Sequence, residues 1–532
     1  MKRLLIIIFV LMGITSFSYE KLIDEEMGLI FERDVEIKMR DGTVLYGNVF
    51  RPIEEGRYPV IASMGPYGKD LLPVKYDSDE GEIDVSRYAA FEVVDPADWV
   101  PEGYVVVNVD SRGTWNSGGA ISVFSQKEAE DFYDIIQWAG EEGWSNGMVA
   151  TSGVSYFAIS QWRVAELSPP HLKAIIPWEG LTDIYRDAVY HGGIEEKGFI
   201  RGWYKKVASN KRPGSIPEDF IGGIQSNTLY GDFYSSRTPD LSKVTVPAFI
   251  VSSWSDHGLH SRGTIEGFKN ISSRDKWLYI HGTKKWEFFY SEEGVAEQKR
   301  FLDYYLKGVD TGMMDVPRVR YAVREKFYIE DYHTADNYPL NNVARIKLYL
   351  DNNEKALSES KVLSSSQRKT SKKTRFTYTF TKDTTLVGGM TLMTYISTSK
   401  SEDADIFVGV DKFNADGKKV SFQGNDTEKG HVASGWLRLS QRRVDWSKSE
   451  KDRVFLAHDE VQKVIPKEVV QAYVEILPSG TLFKKGESIS LVISNKDLKG
   501  AGDISHVNIN RGKTMVHTGG EYQSYLEIPV LK

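Results

Sequence analysis

The stretch Val149-Ala150-Thr151-Ser152-Gly153-Val154-Ser155-Tyr156-Phe157-Ala158 runs as a short apolar strand, a serine at its crest, and then text that suits a helix. A sharp strand-to-helix turn of this kind strains the serine backbone and lifts its hydroxyl clear of the sheet. The hydroxyl then stands beside a helix N-terminus, where developing negative charge is favoured. Ser155 is therefore the candidate nucleophile. The string departs from G-x-S-x-G in one place: Phe157 stands where the second glycine belongs, so the helix has to leave the strand with more room than usual. An isolated match of this kind also describes an ordinary loop serine, and the neighbouring segments carry the case.

Upstream, Tyr104-Val105-Val106-Val107-Asn108-Val109-Asp110 is a continuous β-branched run, as expected of a strand buried on both faces. Glu128 to Gly140 has helical spacing through Ala129, Phe132, Ile135, Ile136 and Ala139, and Gly143 to Gly147 turns the chain into the strand that ends at Ser155. Strand, helix, strand means a parallel sheet. Tyr58 to Lys69 reads as a further buried strand whose end delivers Tyr67. Because ligands of open parallel sheets bind outside the carboxyl ends of the strands, Tyr67, the loop after Asp110 and Ser155 are expected on one edge.

These segments, in this order, resemble the CocE/NonD acyl hydrolases, a family that includes cocaine esterase, the S15 X-Pro dipeptidyl peptidases and the α-amino acid ester hydrolases. The resemblance rests on PYGK at Pro66 to Lys69, DSRGTWNSGG at Asp110 to Gly119, EDFYDIIQW at Glu130 to Trp138, WSNGMVATSGVSYFA at Trp144 to Ala158, and FLDYYLKGVDTG at Phe301 to Gly312. It implies an α/β-hydrolase domain at 19–182 and 244–315, a helical cap insertion at 183–243, and an all-β jelly roll of galactose-binding-like type at 316–532. It also implies that the backbone N–H of Tyr156 and the hydroxyl of Tyr67 form the oxyanion hole. A tetrahedral acyl intermediate needs two such donors, preset toward the oxygen that becomes negative.

Val246 to Val251 reads as a buried strand, and the loop at its end, Ser252-Ser253-Trp254-Ser255-Asp256-His257, matches the family segment that carries the triad acid at Asp256. The order Ser, then Asp, then His is the one an α/β-hydrolase uses. The next strand is Lys276 to Gly282, and the family places its histidine a few residues beyond; that position holds Lys285. Three readings stay open. His281 at the strand end acts as the base, Lys285 acts as the base with its pKa lowered by burial, or the site is degenerate and the fold serves to bind a peptide or glycan. His281 is the first candidate for the base, while His257 and His260, beside the acid, are read as polar residues of a loop near the pocket.

Family members that select α-amino esters carry carboxylates just after the triad acid, where this chain has Gly258 and Leu259; Glu195 and Glu196 could take that place, but read more simply as a solvated helix face. The expected substrate is a small ester or a short peptide. Residues 183 to 243 are aromatic-rich and suit the cap. From about Val316 the text changes to short β-branched or alternating runs divided by turn residues, the signature of a sandwich whose expected task is to pack against the hydrolase domain and wall the pocket. His506 and His517 are read there as structural.

The chain opens Met1-Lys2-Arg3, follows with an apolar run, and has small residues before a cut after Ser18, which reads as a secretory signal peptide over 1–18. The run is short and wrongly flanked for a membrane span, with an uncleaved anchor as the alternative, and an exported enzyme, periplasmic or secreted, is expected. No cysteine is present, which excludes disulfides and thiolate metal sites. A chain of 532 residues is too long for one core, and a net charge of -7 argues against nucleic acid as a partner. No cofactor or metal is called for, and nothing in the pattern sets an oligomeric state.

Overall fold

The computed structural model describes residues 20–72, 77–78, 81–82, 85–370, 373–424, 427–498 and 504–532. The segment read as a signal peptide lies outside them. Nine strands form the part of the sheet that concerns the site: β1 (Leu29–Lys38), β2 (Val44–Pro52), β3 (Tyr58–Gly65), β4 (Val105–Asp110), β5 (Ser145–Val154), β6 (Leu172–Trp178), β7 (Ala248–Ser253), β8 (Lys276–His281) and β9 (Val319–Lys326). Their spatial order is β1-β2-β4-β3-β5-β6-β7-β8-β9, with β2 antiparallel to both its neighbours and every later contact parallel.

The apolar alternation explains why this sheet is covered on both faces. Val60, Ala62, Val105 and Val107 share one core with Phe132, Ile135 and Trp162, from helices α1 (Gln126–Glu141) and α2 (Tyr156–Ala165). Ile61, Val106, Ala150 and Ile176, one residue out of step, share the opposite core with Trp277 and Phe301. Helix α1 starts where the Ser125 hydroxyl accepts from the Glu128 N–H, a side-chain cap on an otherwise unpaired donor.

Between β6 and β7 lies a mostly helical segment that includes α3 (Phe199–Ser209) and two shorter helices, Phe220–Ser226 and Asp232–Ser235. Its aromatic side chains form a separate core over the sheet edge with Tyr67, Tyr156 and Leu259. From β9 onward the chain is all-β among the described residues, apart from a short 3-10 turn at Leu439–Gln441. Long strands such as Thr384–Thr398 and Val470–Phe483 pair antiparallel around a core of Leu, Ile, Val and Phe. The two regions are joined through β9, which pairs with β8 on one side and meets Thr481 through Arg324.

The room required by Phe157 comes from two glycines. A Cβ built on Gly65, the last residue of β3, would lie 2.6 Å from the Phe157 ring, and one on Gly153 would lie 2.5 Å from the Phe157 Cβ. The missing family glycine is thus compensated on the neighbouring strand and within β5 itself. Gly65→Ala is expected to destabilise the protein by about 1–3 kcal/mol through overpacking against a buried ring. An unchanged melting temperature for this variant would contradict that packing account.

Candidate active site

Ser155 sits between the end of β5 and the start of α2 with φ of 60°, a left-handed conformation rare for a residue with a side chain. The strain is held from both sides. The Ser155 N–H donates to the Trp178 carbonyl on β6 at 3.0 Å, and the Ser155 carbonyl accepts from the N–H groups of Ala158 and Ile159, each at 3.0 Å. Tyr156, the first residue of α2, has no intrahelical acceptor for its N–H, which leaves that donor at the helix mouth beside Ser155.

The partner of Ser155 is His260. Its Nε2 lies 3.2 Å from Ser155 Oγ, and its Nδ1 is bonded to Asp256 Oδ2. Asp256 and His260 are both almost fully buried. They are brought together by one turn: the Asp256 carbonyl accepts from the His260 and Ser261 N–H groups, each at 3.2 Å, at the entrance to α4 (Ser261–Asn270). Residues four apart on such a turn share a face, and so acid and base meet. Gly258, with φ of 85°, allows the chain to bend between them.

His281, the expected base, is elsewhere. It ends β8 with its ring fully buried, Nε2 3.0 Å from the Glu179 carboxylate and Nδ1 3.0 Å from Thr283 Oγ1. The ring thus lies against Glu179 and Thr283 and not against Ser155, and the assignment of His281 as base is corrected to a buried neighbour of Glu179. Lys285 opens the short helix α5 (Lys285–Tyr290), with Nζ 3.6 Å from Asp256 Oδ2 and 3.9 Å from Glu92 Oε1. The family's histidine position therefore holds a cation that lies against the acid. The signal that points to His260 is present in the chain as the Asp-x-x-x-His spacing, which sets the two residues one helical turn apart.

The electrostatics follow from burial and these neighbours. Burial by itself raises the Asp256 carboxyl, but its contact with His260 and the nearby Lys285 outweigh it and hold the group well below the usual carboxylate range. Burial pushes Glu92 up to about 7, against the nearby Lys285 ammonium and a hydrogen bond from the Trp286 indole. Tyr67 is raised far above the usual tyrosine value, first by burial and then by the Glu92 carboxylate, against the pull of the Trp203 and Ser155 side chains. Its phenol is therefore a protonated donor at any ordinary pH. The Tyr67 ring packs edge-on to Phe91, Tyr156 and Phe157, with centroids 5.3, 6.0 and 5.8 Å away.

The loop that carries acid and base rests on the C-terminal region. His257 Nε2 donates to the Pro478 carbonyl at 2.9 Å, and Trp254 Nε1 donates to Ala322 on β9 at 2.8 Å. Buried Arg324 donates to the Ser479 hydroxyl at 2.8 Å. His257, read as a polar pocket residue, is instead a buried strut whose pKa falls to about 4, chiefly through burial and then through Arg324. His506 and His517 both make buried bonds within the fold, His506 to His191 at 2.8 Å and His517 to Ser397 at 2.8 Å.

Beside Ser155 lies a pocket of about 280 Å³, lined by Ile159, Leu181, Ile184, Ala188, Ile200 and Leu259 together with the aromatic rings of Phe124, Phe199 and Trp203. Its lining residues carry no carboxylate, ammonium or guanidinium. Glu195 is ion-paired with Arg201. Glu196, expected on a solvated face, is completely buried and caps α3, accepting from the N–H groups of Gly198, Phe199 and Ile200 at 2.6, 2.9 and 2.9 Å. Capping consumes the charge that the sequence left available for a ligand.

Comparison with known proteins places these features in a wider group. A family model for X-Pro dipeptidyl-peptidase (S15 family) matches residues 41–285, and one for the X-Pro dipeptidyl-peptidase C-terminal non-catalytic domain matches residues 311–527. A solved structure of a CocE/NonD family hydrolase from Staphylococcus aureus is 40% identical, covers 95% of this chain and 94% of its own, and superposes with a TM-score of 0.91. A cocaine esterase from Rhodococcus sp. is 24% identical over 74% of this chain and 70% of its own length. A Bacillus cereus protein named as a putative Xaa-Pro dipeptidyl-peptidase is 26% identical over 64% of each.

Behind Ser155, the Tyr156 hydroxyl donates to Glu128, whose carboxyl is pushed up to about 8 by burial against that hydrogen bond. A carboxyl with its folded pKa above the unfolded 4.5 contributes stability that is fully present below about pH 4.5 and is lost as pH rises through about 8. Glu128→Gln lacks this titration. From pH 5 to pH 9 the stability of the native protein should therefore fall relative to Glu128→Gln, by on the order of 3 kcal/mol. Melting temperatures of the two proteins across that range provide the check, and a constant difference would contradict the assignment.

Proposed function

The chain belongs to the CocE/NonD hydrolase family, and from that premise we propose that it is a serine esterase acting on esters whose acyl group is apolar. The observation that carries this reading is the hydrogen-bonded series Ser155, His260, Asp256 at the mouth of an uncharged pocket. Ser155 Oγ attacks the ester carbonyl as its proton passes to His260 Nε2. Asp256 holds the imidazole through Nδ1–H, in the orientation and tautomer that leave Nε2 free to accept, and offsets the charge that forms on it. The Tyr156 N–H and the Tyr67 hydroxyl receive the oxyanion. The alcohol leaves with the proton from His260, and water, activated by the same imidazole, then releases the acyl group from Ser155.

Ester is favoured over X-Pro peptide by the pocket. A dipeptidyl peptidase that holds a free N-terminus needs a carboxylate for the ammonium; here Glu195 and Glu196 are engaged elsewhere, and Gly258 and Leu259 follow the acid. The helical segment 183–243 serves as the roof of the acyl pocket, and the β region from 316 onward buttresses the acid–base turn. A fold kept only for binding drew its support from the lysine at the expected histidine position, and the His260 contact supports catalysis instead. The leader at 1–18 supports export; N-terminal sequencing of the exported protein is expected to begin at Tyr19.

Ser155→Ala and His260→Ala are each expected to lower kcat on p-nitrophenyl butyrate by at least about 10³-fold. Ser155→Ala should also abolish fluorophosphonate labelling. His281→Ala, if it keeps the native melting temperature, should retain labelling, and its loss there with His260→Ala still active would return the base to His281. Butyrate and benzoate esters are expected to turn over well ahead of Ala-Pro and Gly-Pro anilides, and the reverse ranking would assign a peptidase.

A further inference from the structure

Helix α3 grips the loop that carries Tyr67 at two points. The Trp203 indole N–H donates to the Tyr67 hydroxyl oxygen at 3.0 Å, and the side-chain amide of Asn210, which caps the end of α3, donates to the carbonyl of Pro66 at 3.1 Å. The indole is itself held, lying nearly parallel to the rings of Phe124 and Tyr156 at 5.4 and 5.9 Å. The start of the helix is fixed by the Glu196 carboxylate, which also accepts from the Ser505 N–H of the C-terminal region at 3.2 Å.

The chemistry of the two groups makes this contact directional. An indole nitrogen donates and never accepts, whereas a phenol oxygen has one proton to give and lone pairs to receive. With the Trp203 N–H on one lone pair, the Tyr67 proton is directed to another acceptor, on the side where this phenol lines the same pocket as Ser155. The received hydrogen bond also polarises the phenol and makes it a stronger donor. We propose that Trp203 is a positioning residue that fixes the Tyr67 hydroxyl as a donor into the oxyanion site, so that the helical segment over the pocket tunes the reaction and not only the choice of acyl group. This rests on the reading of Tyr67 as half of the oxyanion hole.

The test is a double-mutant cycle on purified protein with p-nitrophenyl butyrate. Trp203→Phe keeps an aromatic ring for Phe124 and Tyr156 and removes the N–H. It is expected to lower kcat roughly tenfold, with KM within about twofold, the loss of one hydrogen bond felt chiefly in the transition state. The affinity for a trifluoromethyl ketone, which forms an oxyanion adduct on the serine, should fall by a similar factor. In a Tyr67→Phe background the same substitution should change neither quantity. Incorporation of the benzothiophene isostere of tryptophan at position 203 removes the N–H at constant shape and should reproduce the loss, which guards against a folding defect in the phenylalanine variant.

Equal losses from Trp203→Phe with and without the Tyr67 hydroxyl would overturn the proposal in favour of packing alone. An unchanged kcat in the isostere would overturn it outright. Should Tyr67→Phe itself leave kcat intact, the relay fails together with the phenol's role. Fluorophosphonate labelling that disappears in Ser155→Ala would then show that the serine hydrolase reading survives independently.

Discussion

One helical turn, begun by the Asp256 carbonyl, sets acid and base four residues apart and aims the imidazole at Ser155. A buried carboxylate and a buried imidazole are costly to hold unless each satisfies the other. Here the pairing is made within a few residues, so the chain entropy lost in bringing the two groups together is small. What remains to be fixed is the position of the whole turn relative to β5, and that comes from contacts remote in sequence. His257 on Pro478, Trp254 on Ala322 and Arg324 on Ser479 attach the turn to the β-rich C-terminal region. The non-catalytic region is in this sense part of the scaffold of the chemistry.

The charges around Asp256 form a graded set. His260 and Lys285 both stabilise its ionised form, while Glu92, one step further out, is raised by burial and balanced by the same lysine. Lys285, at the position where the family resemblance placed a histidine, sets a basic side chain beside Asp256, while the histidine that contacts Ser155 lies in the preceding loop. The opposite side of Ser155 is apolar and aromatic, with no charged side chain among the residues that line it.

Much of the architecture was legible because it is written in local pattern. Alternating apolar residues on β3 and β4 place their side chains in two different cores, and the unbroken Val105 to Val109 run corresponds to a strand in the interior of the sheet. The helix expected from Glu128 to Gly140 extends from Gln126 to Glu141. The change to short β runs near Val316 coincides with β9. Glu196 was misread because its exposure depends on which helix end lies above it, and His260 was passed over because the histidine was sought after the following strand.

The strand–helix–strand succession, the elbow at Ser155, the loop that bears Asp256 and the change of class near β9 were therefore determined by the sequence itself, since each follows from short-range periodicity and turn chemistry. Which histidine meets the serine, which glycines make room for Phe157 and which indole meets Tyr67 were decided by tertiary structure. Those outcomes depend on distances between residues up to about 140 positions apart, as from Tyr67 to Trp203 at a separation of 136, and on competition for buried partners. Glu179 engages His281 before that ring can face the pocket, and a helix from the far side of the sheet edge supplies the donor. A pairwise competition of this kind has no signature in local sequence, because the losing and winning residues are chemically alike and differ only in what surrounds them.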